Sequence, residues 1–532
     1  MAFVNCPMVS LSFLPVLLAA SIASLGGILF GLRFGIIAGA LLQVREIFDL
    51  SCDVQQLVVG SVFFSAFVTS FFGGVLVDNL GRKRALLLAT ALFLGGSALQ
   101  SVSTGLAMFV TARFITGFAI SLSTTAQCTY IAEISPAVHR GLLMSLSEVG
   151  ITAGFLFAYM INYAFISYEN GWQLMFGVAT LPALLELVGT LFLPQSPHFL
   201  VLKGRHDEAR KALTVIHGEN AASQELGRMQ KSLMEEQNYR YRDLFAPGLR
   251  GRMLVGVGLV VLQQCTGQTN VTYYAPTLLQ HLGFCSNVAA TLASVGLGVV
   301  KVGSAIFALL VLDRLGRRIC LLSGTLLMAV SIFALGILAK YSYGGGGHAI
   351  PLRCRDGPAL FNDSERLPEA TEKRDGSRSS IGAAAAEEYQ CVGVPKGSAI
   401  QRALTLAALM TYVFAYGVGF GTTTWLILSE IFPAAVRGRA IAVATSANWA
   451  ANVVVSASFL TVLDILGIGD TLLMYSGVCM LSLVFIFLCV PETKHKTLEE
   501  ITSELDQGLN RWRTILPRRW GSSSDYTLRG PA

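Results

Sequence analysis

Charge is what this chain has little of. Asp, Glu, Lys and Arg make up 14% of its 532 residues against 53% apolar residues, and the mean hydropathy is +0.59. A chain of this length with so few charges is too apolar for a soluble protein. The net charge of +6 does not point to nucleic acid, because Lys and Arg gather in short loops between apolar runs, the pattern that sets membrane orientation. The ten cysteines show no metal-type spacing, and most lie in or near apolar runs as small hydrophobes. No nucleophile–base pair, metal cluster or nucleotide loop appears, and Gly344 to Gly347 is linker rather than a phosphate cradle. These absences argue against an enzyme, and no cofactor or metal is expected. No basic residue precedes the apolar stretch from Leu11 to Ala23, which continues to Leu42. An uncleaved first helix is therefore expected in place of a secretory signal peptide.

What the chain does have is apolar runs of roughly 20 residues, the length that spans a bilayer core. They fall near 13–42, 55–77, 84–104, 107–131, 141–165 and 173–193, then near 253–280, 287–312, 319–340, 401–428, 439–466 and 470–490. Lipid offers the backbone no hydrogen-bond partner, so an all-α membrane protein of twelve transmembrane helices is expected. Residues 1–194 would form one six-helix bundle and 251–494 a second, joined by a helical linker at 195–250 and followed by a tail at 495–532. The basic loops after spans two, four, eight and ten carry Arg82 and Lys83, Arg140, Arg317 and Arg318, and Arg437. All fall on one face with both termini, which makes that face cytoplasmic. The long polar stretch 341–400 falls on the other face and has the composition of a disordered segment. It holds the glycosylation sequon Asn362-Asp363-Ser364 and a candidate disulfide pair, Cys354 and Cys391. A second sequon, at Asn270, lies inside span seven and is expected to be unused.

One charged loop occurs twice. Asp78-Asn79-Leu80-Gly81-Arg82-Lys83 returns as Asp313-Arg314-Leu315-Gly316-Arg317-Arg318, and each copy sits between two apolar runs. Matched loops imply duplication, and internal repeats in a membrane protein point to a transporter. Downstream, Glu133 and Arg140 in the first half are echoed by Glu430 and Arg437 in the second. Asp78, Arg82, Glu133 and Arg140, with Asp313, Arg317, Glu430 and Arg437, therefore form two candidate ion-pair latches at helix ends, strong when dry and weak once water enters. The plainer alternative is that these charges only set topology, but carboxylates add nothing to a positive-inside signal.

At these residues the chain resembles the sugar porter family of the major facilitator superfamily, over nearly its whole length. The matching pieces are Asp78…Gly81-Arg82-Lys83, Arg113…Gly117, Tyr130…Glu133…Pro136…Arg140-Gly141, Pro194-Gln195-Ser196-Pro197, Gln263-Gln264…Gly267, Tyr273-Tyr274, Asp313-Arg314…Gly316-Arg317-Arg318 and Pro491-Glu492-Thr493-Lys494. Within that family it is most similar to the class III facilitative glucose transporters with a long outer loop between spans nine and ten, a branch that Gly267-Gln268-Thr269-Asn270 and Lys301 fit. The resemblance implies the major facilitator fold and a sugar site lined by Gln263, Gln264, Thr269, Asn270 and Asn448. Trp425 would be either its aromatic floor or an interfacial anchor. Tyr273 and Tyr274 would be outer-gate residues. Gln263 and Gln264 are neighbours on a helix and point about 100° apart, so both need not touch one ligand.

Four ionisable residues fall inside apolar runs: Arg33, Arg113, Glu148 and Lys301. Each costs about 2.5–3.5 kcal/mol at a helix centre, which makes each a functional candidate. Proton-coupled sugar porters carry an acid in span one where this chain has Gly31-Leu32-Arg33, so the usual proton carrier is absent. Two bases, Arg33 and Arg113, would then be close unless Arg33 snorkels or faces water. Glu148 and Lys301 stand where family members often have glutamine and asparagine. They are expected to face one central cavity with Glu148 compensated by Lys301 or an arginine, and a proton-sensitive Glu148 is the sharper alternative. Span ten reads Gly419-Phe420-Gly421-Thr422-Thr423-Thr424-Trp425 and lacks the prolines with which the family breaks this helix, so its hinge would rest on glycine and threonine. The leading expectation is a facilitative hexose uniporter for glucose, galactose or dehydroascorbate, in the plasma membrane or an internal one. A proton-coupled symporter and a non-transporting sugar sensor are the alternatives.

Overall fold

The computed structural model describes residues 14–136, 140–217, 226–227, 229–230, 241–284, 286–343, 399–432 and 434–494. Asn362, Cys354, Cys391 and the 495–532 tail lie outside the described residues. Helices make up the fold, and no strand occurs among the described residues. Among the described residues ten helices are long and apolar enough to cross a membrane, and one of them, Val436–Cys489, holds two crossings joined at Gly467, whose φ of 76° breaks the helix. The twelfth crossing, span seven, escapes a length criterion because it is broken into Pro247–Cys265, Gln268–Tyr273 and Ala275–His281.

Local sequence accounts for the ends and breaks. Span two (Cys52–Ser70) starts on Ser51, whose hydroxyl accepts from the Val54 N–H, and span eight (Asn287–Leu315) starts on Ser286 in the same way. Cys52 is disulfide-bonded, which its spacing did not announce. The duplicated loops turn on matched glycines. Gly81 at φ 88° and Gly316 at φ 102° stand in a backbone region that side chains disfavour, and each donates back to the helix it ends, to Val77 and to Leu312. In span seven, Gly267 at φ 84° makes the first break. The freed carbonyls are met by side chains: Tyr412 donates to Thr266 O at 2.9 Å and Tyr159 to Thr272 O at 2.8 Å. A broken helix at membrane depth survives only when its polar groups are re-satisfied in this way.

Span one (Leu14–Ile47) owes its position to glycine at every fourth residue. Gly27, Gly31, Gly35 and Gly39 face span five (Arg140–Phe165), where any added Cβ would collide with Ser147, Ile151, Ala158 or Asn162. Small residues at this spacing let two backbones approach closely in lipid. The two halves meet along span five against span eight, span two against the Ala434–Gly467 crossing, and span one against the later part of span seven. Large apolar side chains such as Phe192 (81% exposed) and Leu185 (62%) cover the outside.

Candidate functional site

The amide-bearing residues of span seven converge on spans ten and eleven. Gln263 donates to the Tyr416 hydroxyl at 3.1 Å and to Phe420 O at 3.0 Å, whereas Gln264 donates to Asn448 at 2.6 Å and accepts from Thr269 at 2.5 Å. The adjacent glutamines thus diverge to different helices, as a rotation of about 100° requires. All four are buried, and Gln263 keeps a sealed carbonyl oxygen with no partner among the described residues. Asn270 is fully buried and donates to the Tyr475 hydroxyl and Val455 O, which leaves no room for a glycan. Trp425 is half-buried against the core.

Span ten is hinged without proline. After Ala399–Tyr416 the helix widens into one π-turn, Gly417–Gly421, before resuming as Thr422–Ile431. Widening frees carbonyls. Thr422 and Thr423 answer Gly417 O and Val418 O at 3.3 and 3.2 Å, and Gln263 answers Phe420 O. Glycine and threonine do supply the break here, and the first glutamine of span seven is tied to it.

Tyr273 sits in a ring cluster that crosses between the halves. Its centroid is 4.9 Å from Phe34, 5.1 Å from Phe63 and 6.2 Å from Phe155. Trp449, beside Asn448, extends the cluster through Phe30 at 6.1 Å and carries a buried indole N–H with no partner among the described residues. Tyr274 lies apart, against Phe459 at 5.0 Å. The residues of this cluster come from spans one, two, five, seven and eleven, so no local pattern joins them. Only the Asn448-Trp449 adjacency hinted at the tryptophan.

Lys301 places its ammonium 3.7 Å over the Phe155 ring, reaching across from span eight to span five, and lines a cavity of about 10 Å³ with Tyr159, Thr272 and Leu297. That space holds about one water molecule. Glu148 is within Coulomb range of Lys301, but the two do not close to an ion pair. Arg33 neither snorkels nor faces water. It is 2% exposed, donates to Ala179 O at 3.0 Å where span six breaks, and stands within Coulomb range of Arg113. Arg113 donates instead to Val58 O and Val59 O. The count of four intramembrane charges is short by one: Glu186, in span six, is fully buried. Its setting, Leu184-Leu185-Glu186-Leu187, is so apolar that the acid alone was the signal.

At the ends of the helices, Arg82 reaches Glu133 at 2.8 Å and Asp78 at 3.1 Å, and Arg317 reaches Glu430 at 3.2 Å. The chain after each sixth span joins in. Ser196 donates to Glu133 and Thr493 to Glu430, and both pairs are 63 residues apart. His198 adds a contact to Glu133 at 3.4 Å, and Glu492 accepts from the backbone N–H groups of Arg317 and Arg318. Sequence had these as family motifs without a role, although the shared offset from Pro194 and Pro491 was visible. Arg437 donates to Phe432 O. The side chains of Arg140 and Asp313 lie outside the described set.

Comparison with known proteins follows the same lines. A family model described as "Sugar (and other) transporter" matches residues 19–350 and 380–505. The chain is 38% identical over 519 residues to "Solute carrier family 2, facilitated glucose transporter member 12" of Mus musculus, covering 91% of this chain and 83% of that one. It is 39% identical over 523 residues to member 10 of Homo sapiens, covering 93% and 94%. Among solved structures it is similar to the proton:xylose symporter XylE bound to 6-bromo-6-deoxy-D-glucose, with TM-score 0.70, 26% identity and coverage of 92% and 99%. It is also similar to XylE from E. coli in a partially occluded inward-open conformation, with TM-score 0.69, 26% identity and coverage of 91% and 99%. The chain therefore belongs to the sugar transporter family of the major facilitator superfamily, as a multi-pass membrane transporter of the solute carrier family 2 facilitated glucose type, not an enzyme.

Proposed function

We propose that the chain carries a hexose as a facilitative uniporter, its two six-helix halves rocking about a central site by alternating access. The observation that carries this reading is the buried amide chain Thr269–Gln264–Asn448, set beside rings from both halves. A hexose presents hydroxyls at its rim and C–H faces above and below, so it needs amides and aromatic surface together. Gln263, Gln264, Thr269, Asn270, Asn448 and Trp425 are assigned to the sugar, with Glu148 and Lys301 at its margin and Tyr273 and Tyr274 as the outer gate. Both termini and both charge clusters are placed on the cytoplasmic face. Glucose, galactose and dehydroascorbate are the candidate cargoes. A millimolar site is worth about −4 kcal/mol, and a carrier that must release its cargo each cycle gains nothing from much more.

Counterflow of labelled glucose, galactose and dehydroascorbate in proteoliposomes tests this. Exchange of at least one of them without a pH gradient is expected, and sugar binding with no exchange of any would replace the carrier by a sensor. A second reading, proton-coupled symport, is favoured by the solved neighbour being a proton:xylose symporter and by Glu148 lying in the field of Lys301. Uptake from about pH 5.5 to about pH 8, a range bracketing a perturbed carboxylate, would favour it if a steep dependence vanished in Glu148→Gln.

A further inference from the structure

Glu186 is used by neither reading. It lies on the inward face of Thr180–Phe192, 0% exposed, while Leu181, Leu184, Leu185 and Val188 of the same helix face outward. Gly26 faces it and Arg33 faces Ala179, so spans one and six form an antiparallel seam on which Glu186 and Arg33 are two turns apart. Three oxygens crowd the hollow that Gly26 leaves. A Cβ there would stand 2.6 Å from Gln127 Oε1, 2.8 Å from Ser123 Oγ and 3.0 Å from Glu186 Oε1. Thr90 of span three flanks the carboxyl, but its hydroxyl donates to Leu86 O at 2.9 Å.

Donor and acceptor accounting shows what is missing. Gln127 directs its N–H toward Ser147 Oγ at 2.5 Å, so it offers Glu186 only its carbonyl oxygen. An ionised carboxylate has only acceptors. The Ser123 hydroxyl is then the one free donor beside Gln127 Oε1 and Glu186 Oε1, and neither Glu186 oxygen has a partner among the described residues. The ionisable groups on the surrounding helices do not fill the gap. Lys83 is turned to Leu191 O, Arg33 to Ala179 O and Arg113 to the Val58 and Val59 carbonyls, while Glu148 lies in the field of Lys301 and Cys128 in that of Glu148. Both Glu186 oxygens are sealed from solvent, which leaves no place for a water or a metal ion against them. A proton is the one cation that needs no cavity. On the carboxyl it supplies the donor absent from the hollow shared with Gln127 Oε1 and removes the cost of a bare buried charge.

We propose that Glu186 is a proton-binding site whose proton stays with the protein through the transport cycle and closes the seam between spans one, four and six. Gly26, Thr90, Ser123 and Gln127, the groups around the carboxyl, all belong to the first six spans, so rocking one half against the other does not open it. That separates Glu186 from Glu148, which faces Lys301 across the halves, and it is compatible with uniport. Its role is positioning: it holds span one against spans four and six.

The test uses the full-length purified protein. Infrared spectroscopy near neutral pH should show a protonated-carboxyl band that Glu186→Gln removes, and Gln127→Leu, which takes away the acceptor, should shift that band without abolishing it. The folded state holds a proton that the unfolded chain releases above the ordinary glutamate value of about 4.3. From about pH 5.5 to about pH 7 the folded-to-unfolded ratio should therefore fall by about tenfold more per pH unit in wild type than in Glu186→Gln, whose amide keeps a donor. Three results would overturn the proposal: no such band in wild type, identical pH slopes in the two proteins, or sugar-driven proton uptake into proteoliposomes that Glu186→Gln abolishes. The first two need no sugar, so they stand apart from any failure of the transport reading.

Discussion

At the scale of single residues, the decisive pair is Lys301 and Glu148. A cation over a ring at 3.7 Å in a desolvated site contributes about 2 kcal/mol, and this contact bridges the halves. Losing the ammonium also strips Glu148 of the positive charge in its field. Lys301→Met should therefore slow hexose counterflow by about tenfold, and Glu148→Gln in the same chain should restore part of the rate because no bare acid remains. A double-mutant cycle on counterflow rates measures this, and additive effects would show that the two residues act independently. Arg33 makes a related point. Composition marks it as costly, yet its partner is the carbonyl at the span-six break, Ala179 O. A partner supplied by a helix break from 146 residues away is invisible to any local reading.

At the scale of elements, the duplication has left one asymmetry. Glu492 caps the start of span nine by accepting from the Arg317 and Arg318 N–H groups at 3.0 and 3.1 Å. Its counterpart beside span three is Gln195, whose carbonyl oxygen is buried without a partner among the described residues. A carboxylate at a helix N-terminus contributes about 0.3–1 kcal/mol. Gln195→Glu should accordingly raise the melting temperature of the purified protein, and Glu492→Gln should lower it. Opposite or null shifts in thermal unfolding would remove the capping account. The twelve crossings, the repeated loop and the glutamines of span seven were legible because each is a contiguous pattern: a run, a copy or a doublet. The breaks in span seven at Gly267 and Tyr274 and the π-turn of span ten were only half legible. A glycine permits a break, but the tyrosines and threonines that satisfy the freed carbonyls come from other helices or from the next turn. Glu186 was missed because a leucine-rich run reads as lipid-facing until the packing shows which side turns inward.

At the scale of the whole molecule, the proposed alternating access sets closure at one end of the bundle against closure at the other. Three ring contacts from Tyr273, to Phe34, Phe63 and Phe155, all cross between halves. Each contributes about 0.5–1.5 kcal/mol beyond its buried area. The charge clusters work differently, because each is built within one half. In the first, Glu133 is 10% exposed and Asp78 is 58% exposed. An exposed pair contributes about 0–1 kcal/mol, whereas removing one partner of a buried pair costs about 3–5 kcal/mol. Of the two acids, Glu133 therefore governs the rigidity of that end. Tyr273→Ala should raise the population open at the ring end by about tenfold or more, since each 1.4 kcal/mol is a tenfold shift. Because its contacts lie within one half, Glu133→Gln moves this balance only where the cluster is tighter in one state than in the other: the population should then shift the other way, Asp78→Asn should do so more weakly, and Tyr273→Ala with Glu133→Gln should fall between the single variants. The measurement is the labelling rate of a cysteine introduced at either end, using a membrane-impermeant thiol reagent. If Tyr273→Ala leaves both rates unchanged, the ring cluster is packing and not a gate. If Asp78→Asn matches Glu133→Gln, burial does not rank the two acids and the charges act only through topology.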